Sequence, residues 1–197
     1  MKLFWCEMTR ASRLVWLLEE MGLSYERVRA NVRDPQSITD PDFRLASPMG
    51  KVPALVDGDV KMWDSCAIAL YLADAYPETG FGVPIGHPDR GRFLTWTFYT
   101  NTVVEPALAE KFAGTEPTPE RSGFGSYDLM VKTLVDGLKP GPWILGEKIC
   151  VADILLASNL DFLEKFNMLP DVPEFVSYLE ASRQRPAYQR AMALEAQ

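Results

Sequence analysis

The chain is predicted to fold as an α+β unit followed by an all-α unit. Three observations carry this. Strand-like and helix-periodic segments run in the order βαβ then ββα up to Tyr76, residues 77–88 (PETGFGVPIGHP) hold three prolines and three glycines, and no convincing strand pattern follows them. The expected boundaries are 1–77 for the first unit, 78–88 for a linker and 89–197 for the helical unit.

In order along the chain, Lys2-Leu3-Phe4-Trp5 predicts a first strand. Residues 11–21 place Leu14, Leu17, Leu18 and Met21 at helical spacing before Gly22, which closes helices because it enters the left-handed region without a Cβ clash. Residues 24–28 predict a second strand running into a loop. Residues 52–56 and 60–63 flank Asp57-Gly58-Asp59, a hairpin turn signal. The helix from Ser65 to about residue 76 opens on Asp64-Ser65, both cap-type side chains. Past the linker, Phe93, Trp96, Phe98, Tyr99, Val103, Val104, Leu108 and Phe112 mark one helix, and 127–138, 151–162 and 172–183 mark three more, with a short one after Pro186.

Composition narrows the function classes. At 197 residues and 47% apolar content, the chain can bury one large core or two modest ones. Its net charge of −7 disfavours a general nucleic-acid binder, whose footprint is a basic face. No run of about 18 apolar residues occurs, and the first residues enter a strand pattern directly, so neither a membrane span nor a signal peptide is expected. Cys6, Cys66 and Cys150 lie at no metal-ligand spacing and there is one histidine, which points to a reducing cytoplasmic setting without a disulfide framework or a zinc site.

Two short segments carry the chemistry. In Gly50-Lys51-Val52-Pro53, Gly frees the backbone and Pro removes a donor just before the β-prone Ala54-Leu55-Val56. The sequence does not decide whether the Val52-Pro53 bond is cis, the form that would turn the Val52 main chain outward for an extended ligand to pair with as an added strand. In Asp64-Ser65, a helix start offers orphan N–H groups and a hydroxyl to a carboxylate, and the Asp charge suits an ammonium. Together they suit a small acidic peptide, although Asp64 also reads as a plain N-cap.

The ordered combination resembles the glutathione transferase family over nearly the whole chain. It is carried by residues 47–55 (SPMGKVPAL), by Asp64-Ser65 with Ala67-Ile68 and Tyr71-Leu72, by residues 13–22 (RLVWLLEEMG), and by residues 145–154 (LGEKICVADI), which resemble the family's C-terminal capping motif. The resemblance implies a thioredoxin-like first domain that binds glutathione as co-substrate, with no other cofactor, and a helical second domain that binds a small apolar electrophile. It implies that Val52 pairs with the cysteinyl main chain, that Pro53 shapes the turn, that Asp64 and Ser65 hold the γ-glutamyl head, and that Lys51 reaches the glycyl carboxylate. A homodimer is implied too, with the Ser65 and Phe93 helices at its interface.

Such chemistry needs a donor that stabilises the thiolate, since a free thiol with pKa near 8.5 is mostly protonated at neutral pH. The donor belongs between the first strand and first helix. There the slot that holds Ser or Cys in many relatives falls near Met8, which donates nothing. Thr9 is the first candidate, Ser12 and Cys6 are fallbacks, and a backbone N–H at the helix start is a further option; Thr9 also reads as a helix cap. Arg10 offers a fixed positive charge nearby. Cys6 raises an alternative, thiol–disulfide exchange with glutathione, while its place in the strand favours a buried thiol. A non-catalytic binding protein on the same fold is a third reading. For the electrophile, Met8, Trp96, Tyr99 and Val103 are the candidates, the last three sharing a helical stripe that also reads as core. Cys150 replaces the Ser or Thr of the capping motif, leaving Asp153 to bond back to the Cys150 backbone.

Overall fold

A computed structural model describes residues 1–115 and 119–195; of the predicted helical unit, 116–118 and 196–197 lie outside them. Four short strands form one sheet in the order β2-β1-β3-β4. They are β1 (Lys2–Trp5), β2 (Glu26–Arg29), β3 (Ala54–Asp57) and β4 (Val60–Trp63). β1 runs parallel to β2 and antiparallel to β3, and β3 to β4 is the hairpin turned by Asp57-Gly58-Asp59. This is the thioredoxin-like arrangement the sequence predicts, with β2 displaced toward Arg29 because Trp5 pairs with Arg29 at the ladder's end.

Helix α1 (Ser12–Met21) buries Leu14, Val15, Trp16, Leu17 and Leu18, and Gly22 at φ 64 returns its N–H to Leu18 O. Helix α2 (Pro41–Ala46), absent from the sequence reading, follows from two local signals. Pro41 sits at the helix start, where a missing N–H is harmless, and the Asp40 carboxylate accepts from the Asp42 N–H. It seats Phe43 edge-on against Phe4, with ring centroids 5.4 Å apart. Helix α3 is Ser65–Ala75.

Asp57, at the end of β3, accepts from two α3-side hydroxyls, Tyr71 at 3.0 Å and Tyr76 at 2.6 Å. The Asp57 hydrogen bond, aided by burial, pushes the Tyr76 hydroxyl up to about 12. A phenol whose folded pKa lies above its unfolded value of about 10 contributes stability below pH 10 and loses it as pH rises toward 12. Thermal melts of Tyr76→Phe are therefore expected to fall less steeply across pH 10–12 than those of the parent, and superimposable slopes would refute the assignment.

The chain divides into two compact units, residues 1–82 with 183–197 and residues 83–182. The predicted boundary placed everything after 89 in the helical unit, whereas the terminal helix α9 (Pro186–Glu195) packs on α1. Tyr188 meets Trp16 edge-on at 5.1 Å, Arg185 donates to Glu20 at 2.7 Å, and Arg190 pairs with Glu19 at 3.0 Å. A helix with both faces buried needs a second partner besides the sheet, and α9 supplies it.

In the second unit, α4 (Arg90–Tyr99) passes through a π turn (Thr100–Val104) into α5 (Glu105–Ala113). Pro106 explains the π turn. It cannot donate to the carbonyl four residues back, and the wider turn, with Glu105 N–H bonded to Thr100 O, absorbs the missing bond. Helices α6 (Tyr127–Leu138), α7 (Val151–Lys165) and α8 (Pro173–Arg183) complete the described part of the unit, α6 and α8 at their predicted places and α7 running three residues past its predicted end at 162. Asp153 at the head of α7 is fully buried and accepts from the Ile144 N–H, the Cys150 N–H and the Tyr178 hydroxyl, each at 2.8 Å. Among the described residues, no helix is long and apolar enough to cross a membrane.

Candidate glutathione site

The register brings the sequence-predicted segments together. Phe4 pairs with Ala54, and Ala54 with Trp63, so β1 exits after Trp5, β3 is entered from Pro53, and β4 exits into Asp64 at one end of the sheet. The loop from Cys6 to Ala11, the Val52-Pro53 pair and the Asp64-Ser65 pair therefore share that end, all within the first unit.

The Val52-Pro53 bond is cis, and Val52 is half-buried just beyond the last ladder pair. The approach to it is clamped by Ser47, which the sequence reading passed over. The fully buried Ser47 hydroxyl donates to Lys51 O at 2.7 Å and accepts from Lys51 N at 2.9 Å. Gly50, at φ 66, makes this turn possible, and the Lys51 residue itself is exposed.

Asp64 takes φ 75, a region that L side chains rarely enter. Its Oδ1 accepts from the Cys66 N–H at 2.9 Å and the Ala67 N–H at 3.0 Å. This corrects one expectation: those two orphan donors are taken by Asp64 itself and are not open to a ligand carboxylate. Ser65, the first helical residue, is 3% exposed, and its Oγ accepts from Arg13 Nη1 at 3.4 Å. Arg13 is a 4% exposed guanidinium on α1 that gave no sequence signal, since it stands inside an otherwise apolar helical run.

The activating segment is more constrained than its sequence suggests. Met8 sits at φ 54 with its side chain 57% exposed. The Thr9 hydroxyl donates to Cys6 O at 2.6 Å and accepts from the Ala11 N–H at 3.2 Å, so it holds the turn together rather than capping α1. Ser12 is half-buried at the start of α1. Cys6 is fully buried, and its sulfur lies 3.2 Å from Arg33 Nη1 and 3.5 Å from a Glu7 carboxylate oxygen. Hydrogen bonds from Arg29 hold that Glu7 carboxyl down at about 2. Cys66 and Cys150 are buried and take part in no disulfide among the described residues.

Of the electrophile candidates in the second unit, Trp96 and Tyr99 are engaged in helix packing. A Cβ on Gly137 of α6 would collide with the Trp96 ring, which shows how closely the indole lies on that helix. Tyr99 stacks edge-on to Trp96 at 5.1 Å and reaches Met130 O at 3.5 Å, and Val103 is half-buried in the π turn. The open aromatic surface lies elsewhere. Phe112, Phe162 and Phe166 are 47%, 39% and 48% exposed, with centroids 4.6–6.2 Å apart.

Comparison with known proteins agrees with this geometry. Residues 1–74 match the model of the glutathione S-transferase N-terminal domain. The chain is similar to glutathione S-transferase Z2 of Arabidopsis thaliana, 32% identical across 92% of this chain and 85% of that protein. Among solved structures, it resembles a glutathione transferase from Methylococcus capsulatus at 29% identity and a TM-score of 0.84, covering 99% of this chain and 98% of that one. A sphingomonad glutathione S-transferase complexed with glutathione is 26% identical with a TM-score of 0.81, covering 100% of this chain and 99% of that one.

Proposed function

The chain belongs to the glutathione S-transferase family, and on that premise we propose that it binds glutathione in its first unit and catalyses attack of the tripeptide thiolate on an activated carbon of a small apolar electrophile. The observation that supports this reading is the shared sheet end, which the Val52-Pro53 and Asp64-Ser65 pairs both adjoin. Val52 pairs with the cysteinyl main chain beyond the last ladder pair, Pro53 shapes that entrance, Asp64 attracts the γ-glutamyl ammonium, Ser65 donates to the neighbouring carboxylate, and Lys51 meets the glycyl carboxylate. Positioning and anion stabilisation do the catalysis, and no further cofactor enters the reaction. A cytoplasmic homodimer belongs to the same reading.

Thiol–disulfide exchange at Cys6 is the weaker reading, because a fully buried sulfur offers a disulfide no line of attack.

Asp64 separates binding from folding. Asp64→Asn keeps an oxygen for the Cys66 and Ala67 amides and tolerates the positive φ, but removes the charge offered to the ammonium. Calorimetric titration with glutathione is expected to show about tenfold weaker binding, with a melting temperature near that of the parent. Unchanged affinity in this variant would remove Asp64 from the site, and a parent protein that binds no glutathione would end the proposal.

A further inference from the structure

We infer that Arg33 is a positioning residue for thiol activation, holding the turn that carries Thr9 by bracing Cys6 and Glu7 at once. The inference rests on the glutathione reading above, with Thr9 as the donor to the sulfur, and deepens it. β1 ends at Trp5, whose carbonyl takes the Ala30 N–H at 2.7 Å, and the chain then leaves the sheet. Past that point the turn is fastened from the β2 side. Arg33 Nη1 donates to Cys6 Sγ and Nη2 to Glu7 O, both at 3.2 Å. Arg29, four residues earlier, grips the Glu7 carboxylate through Nε at 3.1 Å and also through Nη2. The placement of Arg33 is local in origin: the Asn31 side-chain oxygen accepts from the Arg33 N–H at 3.2 Å and turns the chain after β2.

One carbonyl links this brace to the chemistry. Cys6 O accepts the Thr9 hydroxyl at 2.6 Å, and along the chain it lies between Cys6 Sγ and Glu7 O, the two atoms that Arg33 holds. A planar guanidinium with both arms engaged resists rotation of that peptide, which a single contact would permit. The next residue, Met8, sits at φ 54 without being glycine, a conformation that persists only where its surroundings impose it. Release of Glu7 O lets Met8 relax and carries the Thr9 oxygen away from its aim. A displacement of about 1 Å is enough to cost a positioned group most of its effect. The Glu7 carboxyl, held down at about 2, stays charged wherever a thiol titrates, so the Arg29 half of the brace is present throughout that range.

The test reads the thiolate absorbance of bound glutathione at saturation, with no electrophile added, as pH is raised. Arg33→Gln is expected to lift the pKa of the bound thiol by about one pH unit, which leaves about tenfold less thiolate at neutral pH. Its glutathione affinity, by calorimetric titration, should stay within about twofold of the parent, because the proposed contacts to the tripeptide main chain and head lie on other segments. Arg33→Lys keeps the charge without the fork and is expected to behave as Arg33→Gln does. Arg33→Gln combined with Thr9→Ala should raise the pKa no further than Thr9→Ala alone, since the brace then has no donor left to aim. Partial unfolding lowers the amplitude of such a titration and leaves its midpoint in place, so lost stability does not mimic the result. An unmoved midpoint in Arg33→Gln, full recovery in Arg33→Lys, or additive shifts in the double variant would each overturn the inference. A parent that binds no glutathione would instead overturn the glutathione reading itself.

Discussion

Asp153→Ala is expected to destabilise the helical unit by about 3–5 kcal/mol, because it strands three buried donors at once. The Ile144 and Cys150 amides and the Tyr178 hydroxyl all end on its two oxygens at 2.8 Å, and Asp153 and Tyr178 are at most 3% exposed, so water cannot replace the lost acceptor without opening the fold. Burial pushes the carboxyl upward while those same donors pull it down, which shows how far the site depends on them. The shift in melting temperature should be on the order of 10 °C. Asp153→Asn is expected to cost less. Its single oxygen can serve Ile144 and Tyr178 together on the Oδ1 side, leaving only its amide facing the Cys150 N–H. Tyr178→Phe removes one bond and should cost about 1 kcal/mol. An Asp153→Ala melt within a degree or two of the parent would refute this view of the hub. Cys150 keeps both halves of the capping box, and the carboxylate half does more than cap. It ties the 143–146 turn, the head of α7 and α8 to one side chain.

Much of this was written locally and was therefore legible. Gly22, Asp57-Gly58-Asp59 and Asp64 each act through their own backbone or the next turn, so their residue types predict their geometry. Asp40-Pro41 carried an equally local signal for α2, hidden by the polar loop around it. What escaped were effects that need distant partners. That α9 belongs with α1 depends on Arg185 and Arg190 meeting Glu20 and Glu19 across more than 160 positions. Arg13 acquires meaning only through Ser65, 52 residues away. The Trp96, Tyr99 and Val103 stripe shows the limit of periodicity. Helical spacing identifies a face, but only the small residue opposite, Gly137, decided that the Trp96 ring would be covered. Thr9 was legible in type but not in role, since its hydroxyl serves a carbonyl three residues back.

That role is also the basis of the largest expected effect on activity. Thr9→Ala should lower kcat/KM by about a hundredfold and raise the pKa of bound glutathione's thiol, read from thiolate absorbance. The Thr9 oxygen is fixed by the Ala11 N–H at 3.2 Å, while its proton rests on Cys6 O at 2.6 Å. A hydroxyl proton rotates without moving its oxygen, and a bond to a thiolate is roughly twice as strong as one to a neutral carbonyl. On the proposal that Thr9 activates the thiol, the arriving anion is expected to draw this proton from the turn to the sulfur, while the turn keeps its second bond through Ala11. Met8 places no competing donor in the neighbouring slot. Thr9→Ser preserves both functions of the oxygen and should restore most of the rate, which a purely structural loss in Thr9→Ala would also allow. The thiolate titration discriminates, because weakening the turn alone lowers the amount of active protein and leaves the pKa of the bound thiol where it was. Cys6→Ser should retain activity, its sulfur being sealed beneath Arg33. If Cys6→Ser abolishes turnover while Thr9→Ala spares both the rate and the titration, the nucleophile is a protein thiol and the reaction is an exchange of disulfides.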